Sequence, residues 1–293
     1  MNNNLWNRET EIKFFTEAMK NFLSPNQLFY ALSDEYYAYI PKNIPSEGNT
    51  LQSRNSFIGS FTENWCRNLF DPIAKKFGLY AVNGVVCEEL ALSRQSNADL
   101  ALCTSDHQQQ RAENIKMIFE IKMSIVSNYM YKPDNGGGSV EFVGDYHTHR
   151  GNPSLLRSDS MLKAIGKAIN IRVASTAGNK IPIVILGNSP IAESYTQKVD
   201  MLKDSGIIQG FWSLNPEPCE SSFLQFSPKQ GFRTMKNIGW IENECNELIS
   251  KELIFFASML PKHKLGKYIE IANGEPTIER KAEKFIKTYF RMI

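Results

Sequence analysis

A short apolar run that carries two charges constrains the fold of this chain most: residues 117–123, with the sequence MIFEIKM. Such a run predicts an extended strand, in which successive side chains point to opposite faces of a sheet. Glu120 and Lys122 therefore share one face, while Phe119 and Ile121 share the other. Because an unpaired charge is costly to bury, the two charges need a partner, a metal or a chemical task.

A second strand-like run precedes this one and carries a further carboxylate. Residues 98–102, with the sequence ADLAL, follow a polar turn and include Asp99. The connection to the next run, residues 104–114, is rich in glutamine and charge, which predicts an exposed loop between two sequential strands. We therefore expect an antiparallel hairpin that brings Asp99 close to Glu120 and Lys122.

The rest of the chain alternates helical and strand-like patterns. Residues 180–187 form a continuous apolar run that is typical of a strand buried on both faces, and residues 207–214 predict another strand. Apolar residues recur at helical spacing in six ranges, 9–23, 56–70, 155–170, 193–205, 240–260 and 279–293. We expect the second of these helices to kink or restart at residues 71–72, because a proline follows an aspartate there. The alternation predicts an α/β fold with a mixed central β-sheet flanked by helices, and with helical N-terminal and C-terminal segments.

The composition is that of an ordinary globular chain, with 42% hydrophobic and 22% charged residues. The five cysteines are scattered and never form a Cys-x-x-Cys pair, which argues against a disulfide framework or a zinc ribbon and predicts core thiols. Because no apolar run can span a bilayer and no secretion signal is recognisable, we expect a cytoplasmic protein without a membrane partner. We predict one domain over residues 1–293, with a helical and loop segment (1–55), a functional core (56–215) and a mainly helical C-terminal segment (216–293).

The charged residues of the predicted hairpin suit metal-assisted hydrolysis of a phosphodiester. The carboxylates of Asp99 and Glu120 would converge on a hard cation such as Mg2+, which prefers oxygen ligands and keeps several waters. Lys122 would orient or deprotonate the attacking water and would stabilise the developing negative charge. The opposing interpretation is that Glu120 and Lys122 pair with each other in solvent on an edge strand, because edge strands carry such charges.

This arrangement resembles the PD-(D/E)xK nuclease superfamily. Residues 97–99 (Asn-Ala-Asp) stand for the first part of its motif, with alanine where proline is frequent, and residues 120–122 (Glu-Ile-Lys) stand for the second. The resemblance implies that Asp99 and Glu120 hold Mg2+ and that the lysine is catalytic. It also implies an additional acidic residue on the helix before the hairpin, for which Glu63 is the candidate.

A second resemblance concerns residues 153–160, which are similar to the Arg-Ser-Asp-Arg recognition segment of type II restriction endonucleases that read CCGG-containing sites. Here Ser160 replaces the last arginine. Arginine binds guanine through two hydrogen bonds, aspartate accepts from cytosine, and lysines meet phosphates. The DNA-binding candidates of this region are Arg150, Arg157, Ser158, Asp159, Lys163 and Lys167. We expect the apolar face of the same helix to consist of Leu155, Leu162, Ile165 and Ile169.

These features together predict a type II restriction endonuclease, which hydrolyses double-stranded DNA at a short palindromic site with Mg2+. A palindrome requires two-fold symmetry in the protein that reads it. We therefore expect a homodimer or a homotetramer in which each subunit cuts one strand.

Three alternatives stay open at this point. A repair-type nuclease would share the catalytic hairpin, and a DNA-binding module without catalysis would share the basic helix. A zinc metallopeptidase would instead use Asp145, His147 and His149, which alternate along the sequence GDYHTHRG. Histidine pairs of this spacing bind zinc.

Overall fold

The computed structural model describes residues 5–20, 23–32, 35–45, 51–134, 138–253, 255 and 260–290. Ten short strands form the sheets of these residues. In chain order the strands are β1 (Tyr30–Leu32), β2 (Glu35–Tyr37), β3 (Tyr80–Val85), β4 (Ala98–Cys103), β5 (Ile115–Ile121), β6 (Asn128–Lys132), β7 (Ser139–Gly144), β8 (Ile183–Gly187), β9 (Gly210–Ser213) and β10 (Phe232–Thr234).

Six of these strands form a mixed sheet in the order β10-β9-β8-β5-β4-β3. Strands β3, β4 and β5 pair antiparallel, whereas β5, β8, β9 and β10 pair parallel. The other four strands form an antiparallel sheet in the order β1-β2-β6-β7. The predicted mixed sheet is confirmed. The predicted hairpin is confirmed as well, because Leu100 of β4 pairs with Phe119 of β5 and Ala101 pairs with Ile118.

The helices of the described residues are α1 (Arg8–Lys20), α2 (Pro25–Leu28), α3 (Gln52–Lys76), α4 (Ser158–Ala174), α5 (Thr196–Asp204), α6 (Ile238–Ser250), α7 (Lys262–Asn273) and α8 (Ile278–Phe290). Helices α1 to α6 flank the sheets, as the alternating pattern predicted. Parts of three predicted helices, at residues 21–22, 254, 256–259 and 291–293, lie outside the described residues.

Helix α3 continues through Pro72, although the sequence predicted a break there. A proline inside a helix removes one hydrogen bond and costs about 3 kcal/mol. The same turns bury Leu69, Phe70 and Ile73 in the core. Burying one large apolar side chain contributes about 1.5–3 kcal/mol, so the buried face of the helix outweighs the cost of the proline.

Two apolar layers cover the two faces of the six-stranded sheet. In one layer, Phe119 of β5 meets Phe70 of α3, with ring centroids 4.4 Å apart. The other layer contains Ile118 of the same strand together with Ala164 and Ala168 of α4. Strand β5 is therefore covered on both sides. Since it lies between β4 and β8, its charged residues are not on an edge strand, and the interpretation as a solvent-exposed edge pair is wrong.

Of the predicted apolar face of α4, Leu155 and Ile165 pack in the core, but the other two residues do not. The helix buries Ala164, Ala168 and Ile171, whereas Leu162 is 63% and Ile169 is 42% exposed. Small side chains at the first two positions let the helix backbone approach the sheet closely. The rotation of the helix is therefore set by packing against the sheet, which leaves Leu162 and Ile169 outside the core.

Contacts divide the chain into two units, residues 1–255 and 256–293. The first unit contains both sheets and extends across both of the predicted segment boundaries, after residues 55 and 215. The second unit holds α7 and α8, where the rings of Tyr268 and Phe285 meet edge to face with centroids 6.4 Å apart. Across the helices that the structure describes, none combines the length and the apolar character needed to cross a membrane.

Candidate active site

The hairpin of β4 and β5 brings Asp99, Glu120 and Lys122 together, as its register requires. Asp99 Oδ2 accepts a hydrogen bond of 2.7 Å from the backbone N–H of Ile121, so the carboxylate is fixed against the neighbouring strand. The backbone N–H of Lys122 donates to the carbonyl of Leu186 at 2.7 Å, which extends the pairing of β5 with β8 beyond the end of the strand. Backbone contacts on both sides therefore hold the functional residues in place.

Oxygen atoms from three residues converge on the ammonium group of Lys122. Its Nζ lies 2.6 Å from Glu120 Oε1, 3.1 Å from the carbonyl oxygen of Ile121 and 3.7 Å from Asp99 Oδ2. Carboxylate and carbonyl oxygens are the ligands that a hard divalent cation prefers. The donor set at this position therefore fits Mg2+, with Asp99 and Glu120 as the charged ligands.

A second lysine enters the same cluster from helix α4. Lys167 Nζ lies 3.1 Å from Asp99 Oδ1 and 2.5 Å from Glu120 Oε2, and its side chain is only 16% exposed. The contact with Glu120 Oε2 is an ion pair without good hydrogen-bond geometry, so this buried oxygen keeps accepting capacity. The sequence placed Lys167 among the DNA contacts on an outer face, whereas the structure places it against the two carboxylates.

Burial and mutual repulsion shape the protonation of the cluster. Burial raises the pKa of Glu120, the charge of Asp99 raises it further, and Lys122 and Lys167 act in the opposite direction. Burial is the largest single influence on Lys167 and lowers its pKa, but the combined attraction of Glu120 and Asp99 is greater and the net pKa is raised. The lysine therefore stays charged and balances the buried carboxylates.

Glu63 of α3 belongs to the same electrostatic neighbourhood. Burial raises the pKa of this half-buried carboxyl group, and the charge of Asp99 contributes in the same direction. Lys167 and Lys122 lower the pKa, and Glu120 raises it slightly. The structure thus places all four predicted catalytic residues within reach of one another's charge.

A groove with a volume of about 610 Å³ opens beside Lys122. Four cationic side chains contribute to its lining, from Arg54, Lys122, Arg150 and Arg157. Arg54 is almost fully buried, and its guanidinium donates to the carbonyls of Leu28 and Ala38. Arg150 donates to the carbonyl of Ile44 at 2.9 Å. The groove therefore carries positive charge that is held in place beside the acidic cluster.

The predicted recognition residues lie at the start of α4. Arg157 precedes the helix, Ser158 is its first residue, and Asp159 follows in its first turn. Asp159 pairs with Arg157 at 3.6 Å and with Lys163 at 3.0 Å, and the side chains of these three charged residues are at least half exposed. Arg157 also lines the groove beside Lys122, so the groove connects this exposed cluster with the cluster of Asp99, Glu120 and Lys122.

The two histidines of the predicted zinc pair differ in burial, because His147 is exposed and His149 is not. His149 is buried, its Nε2 lies 3.0 Å from the carbonyl of Val126, and its Nδ1 accepts from the N–H of Gly151 at 3.1 Å. Its ring stacks on Tyr39 with centroids 4.1 Å apart. Both ring nitrogens are engaged, which leaves no lone pair for a metal. The pair of His147 and His149 is therefore not a zinc site in this structure.

Acid is expected to destabilise the protein through His149. Burial lowers the pKa of this imidazole from 6.5 to about 4, so between these values the unfolded chain binds the proton that the folded chain refuses. The free energy of unfolding should fall by about 3 kcal/mol between pH 7 and pH 4 from this group, at 1.36 kcal/mol per pKa unit. Urea unfolding of the wild type and of His149→Gln across this range measures the contribution. An equal decrease in both proteins would contradict it.

Sequence reasoning missed two buried ionisable residues, one at the site and one in the core. Lys167 lies between Ala164 and Ala168, and the small residues on either side were the signal that this face approaches the sheet. Glu11 of α1 is only 1% exposed and accepts from the backbone N–H groups of Val126 and Ser127. No sequence pattern distinguishes it from the other acidic residues of its helix.

Comparisons of this chain with protein-family models, with curated proteins and with solved structures each returned no match. The interpretation of the site therefore rests on the geometry of its residues.

Proposed function

We propose that this protein is a Mg2+-dependent type II restriction endonuclease that hydrolyses phosphodiester bonds in double-stranded DNA. The observation that carries the proposal is the convergence of oxygens from Asp99, Glu120 and Ile121 on the ammonium group of Lys122. Lys167 lies against the same two carboxylates. Bound Mg2+ neutralises the scissile phosphate and activates a water. Asp99 and Glu120 hold the ion.

The lysines and Glu63 complete the chemistry of this proposal. Lys122, as an ammonium group, orients the attacking water and stabilises the negative charge that develops on the phosphate. Lys167 balances the negative charge of Asp99 and Glu120. Glu63, whose pKa burial raises, assists as the additional acidic residue.

The groove and the start of α4 supply the surface for DNA in this proposal. Arg150 and Arg157 contact the sugar-phosphate backbone, and Lys163 adds a phosphate contact near the exposed start of α4. Arg157 and Asp159 have the donor and acceptor groups that read guanine and cytosine. A symmetric dimer or tetramer would present these residues to the two halves of a palindrome.

Incubation of the purified protein with long DNA and Mg2+, followed by sequencing of the fragment ends, tests the proposal. We expect discrete fragments whose ends share one short sequence, and no fragments when Mg2+ is chelated. Scattered ends, or nicks only at structured substrates, would favour a repair-type nuclease. Salt-sensitive binding without any hydrolysis would overturn the assignment as an enzyme.

Replacing Lys167 with alanine is expected to strengthen binding of a divalent cation. The ammonium group lies against both carboxylates, so its removal takes away a positive charge that repels the ion. At an effective dielectric of about 20 the interaction amounts to a few kcal/mol, which after screening gives a gain of about 10-fold to 100-fold in affinity. Titration calorimetry with Ca2+ measures the change. Lys180→Ala, on an exposed turn, is the control, and a weaker affinity in Lys167→Ala would contradict the expectation.

A further inference from the structure

A second cluster of metal-ligating side chains lies apart from the carboxylates of the active site. Atoms of Asp145, His147 and Cys219 lie within 4.8 Å of one another, and this is the one such group of three or more found among the described residues. His147 Nδ1 lies 3.3 Å from Asp145 Oδ1. An oxygen, a nitrogen and a sulfur ligand therefore face a common point.

Two segments that are distant in sequence build this cluster. Asp145 and His147 lie in the turn that follows β7, where the backbone N–H of His147 donates to Asp145 Oδ1 at 2.9 Å. Cys219 lies after β9, is buried, and contacts the hydroxyl of Tyr146 at 3.6 Å and the carbonyl of Ser221 at 3.3 Å. The turn thus presents two ligands on one side and the second segment presents the thiol on the other.

Cys219 differs in its surroundings from the other four cysteines. Cys66 contacts Met123 at 3.4 Å in the core, and Cys87, Cys103 and Cys245 also belong to the apolar layers. Those four behave as small apolar residues. Cys219 alone among the five lies beside a histidine and a carboxylate, which is the environment of a metal-binding thiol.

We propose that Asp145, His147 and Cys219 form a zinc site that ties the turn after β7 to the segment after β9. Zinc binds sulfur, nitrogen and oxygen at about 2.0–2.3 Å in a tetrahedron, so its ligands stand about 3.2–3.8 Å apart. The observed separations approach this range, and a small closure of the side chains completes it. The fourth position is open to a water.

The donor set separates this ion from the one in the active site. A thiolate selects zinc over Mg2+, whereas the all-oxygen set around Glu120 selects Mg2+. On binding, the thiol of Cys219 loses its proton to solvent and His147 binds as the neutral ring. Because β7 belongs to the four-stranded sheet and β9 to the six-stranded one, the ion links the two sheets and stabilises the folded chain by mass action.

Cobalt substitution of the purified full chain tests the zinc site, with Mg2+ in excess to occupy the oxygen site. We expect one Co2+ per chain and a charge-transfer absorption from thiolate to cobalt in the near ultraviolet. Cys219→Ser should lose this absorption, and His147→Ala and Asp145→Asn should weaken binding at least 10-fold. Zinc should raise the melting temperature of the wild type and not of Cys219→Ser.

Two controls keep the outcome unambiguous. His107→Ala removes an exposed histidine that also pairs with an aspartate, Asp106 at 3.8 Å, and should bind Co2+ like the wild type. Asp99→Asn should also keep the absorption, because that residue belongs to the other site. Circular dichroism establishes that each variant is folded. A wild type without the thiolate absorption, or a folded Cys219→Ser with unchanged affinity, would overturn the proposal whether or not the protein cleaves DNA.

Discussion

Lys122→Ala is expected to abolish DNA cleavage and to leave DNA binding intact. The ammonium of Lys122 lies 2.6 Å from Glu120 Oε1, and in the proposed function it acts on the attacking water. Loss of a positioned acid or base lowers the rate by about 10²–10⁴-fold. The groove still carries three guanidinium groups, from Arg54, Arg150 and Arg157, so affinity for DNA should change little. Plasmid linearisation with Mg2+ and gel retardation with Ca2+ measure the two properties.

The fold should survive this substitution because the buried carboxylate keeps a cation. Lys167 remains 2.5 Å from Glu120 Oε2, so removal of Lys122 does not leave an unpaired buried charge. Lys116→Ala is the matched control, since this lysine lies on the same strand with its ammonium exposed and 2.8 Å from the carbonyl of Glu113. Cleavage by Lys122→Ala at the wild-type rate would refute the catalytic assignment.

Glu11→Ala should cause the largest loss of stability among single substitutions outside the site. Its carboxylate accepts from Trp6 Nε1 at 3.0 Å, from the hydroxyl of Tyr129 at 2.8 Å, and from the N–H groups of Val126 and Ser127 at 2.6 and 3.1 Å. An unsatisfied buried donor costs about 1–3 kcal/mol. We expect the free energy of unfolding to fall by about 3–5 kcal/mol, which urea denaturation measures.

The matched control lies on the same helix. Glu9 is exposed in the first turn of α1, so Glu9→Ala should change the free energy of unfolding by less than about 0.5 kcal/mol. The two substitutions remove the same atoms from the same helix and differ only in burial and bonding. Equal effects of the two would show that the hydrogen bonds of Glu11 do not stabilise the fold.

The hairpin of β4 and β5 was predictable because strand pairing follows local rules. Asp99, Glu120 and Lys122 meet because strands that are close in sequence pair antiparallel and because side chains alternate along each strand. The buried run at residues 180–187 was recognisable for a similar reason, since only a strand covered on both faces is apolar throughout. Its observed strand, β8, is buried at every position.

The rotation of α4 was not predictable from hydrophobic spacing. The pattern favoured burial of Leu162 and Ile169, but contact with the sheet selected the alanine face and turned Lys167 inward. An amphipathic pattern does not specify how closely a helix approaches its neighbour. That distance depends on side-chain volumes in both elements, which come from distant parts of the chain.

The sequence by itself determined that Asp99, Glu120 and Lys122 face each other across a hairpin and that an α/β sheet surrounds them. Only the tertiary structure decided the partners of the buried polar side chains. Lys167 lies beside Glu120, Glu11 accepts from the backbone of residues 126–127, and Cys219 lies beside His147. Pairing within a hairpin is governed by short-range backbone geometry, which a sequence encodes locally. The neighbours of a buried side chain depend on packing between segments far apart in the chain, and no local pattern records them.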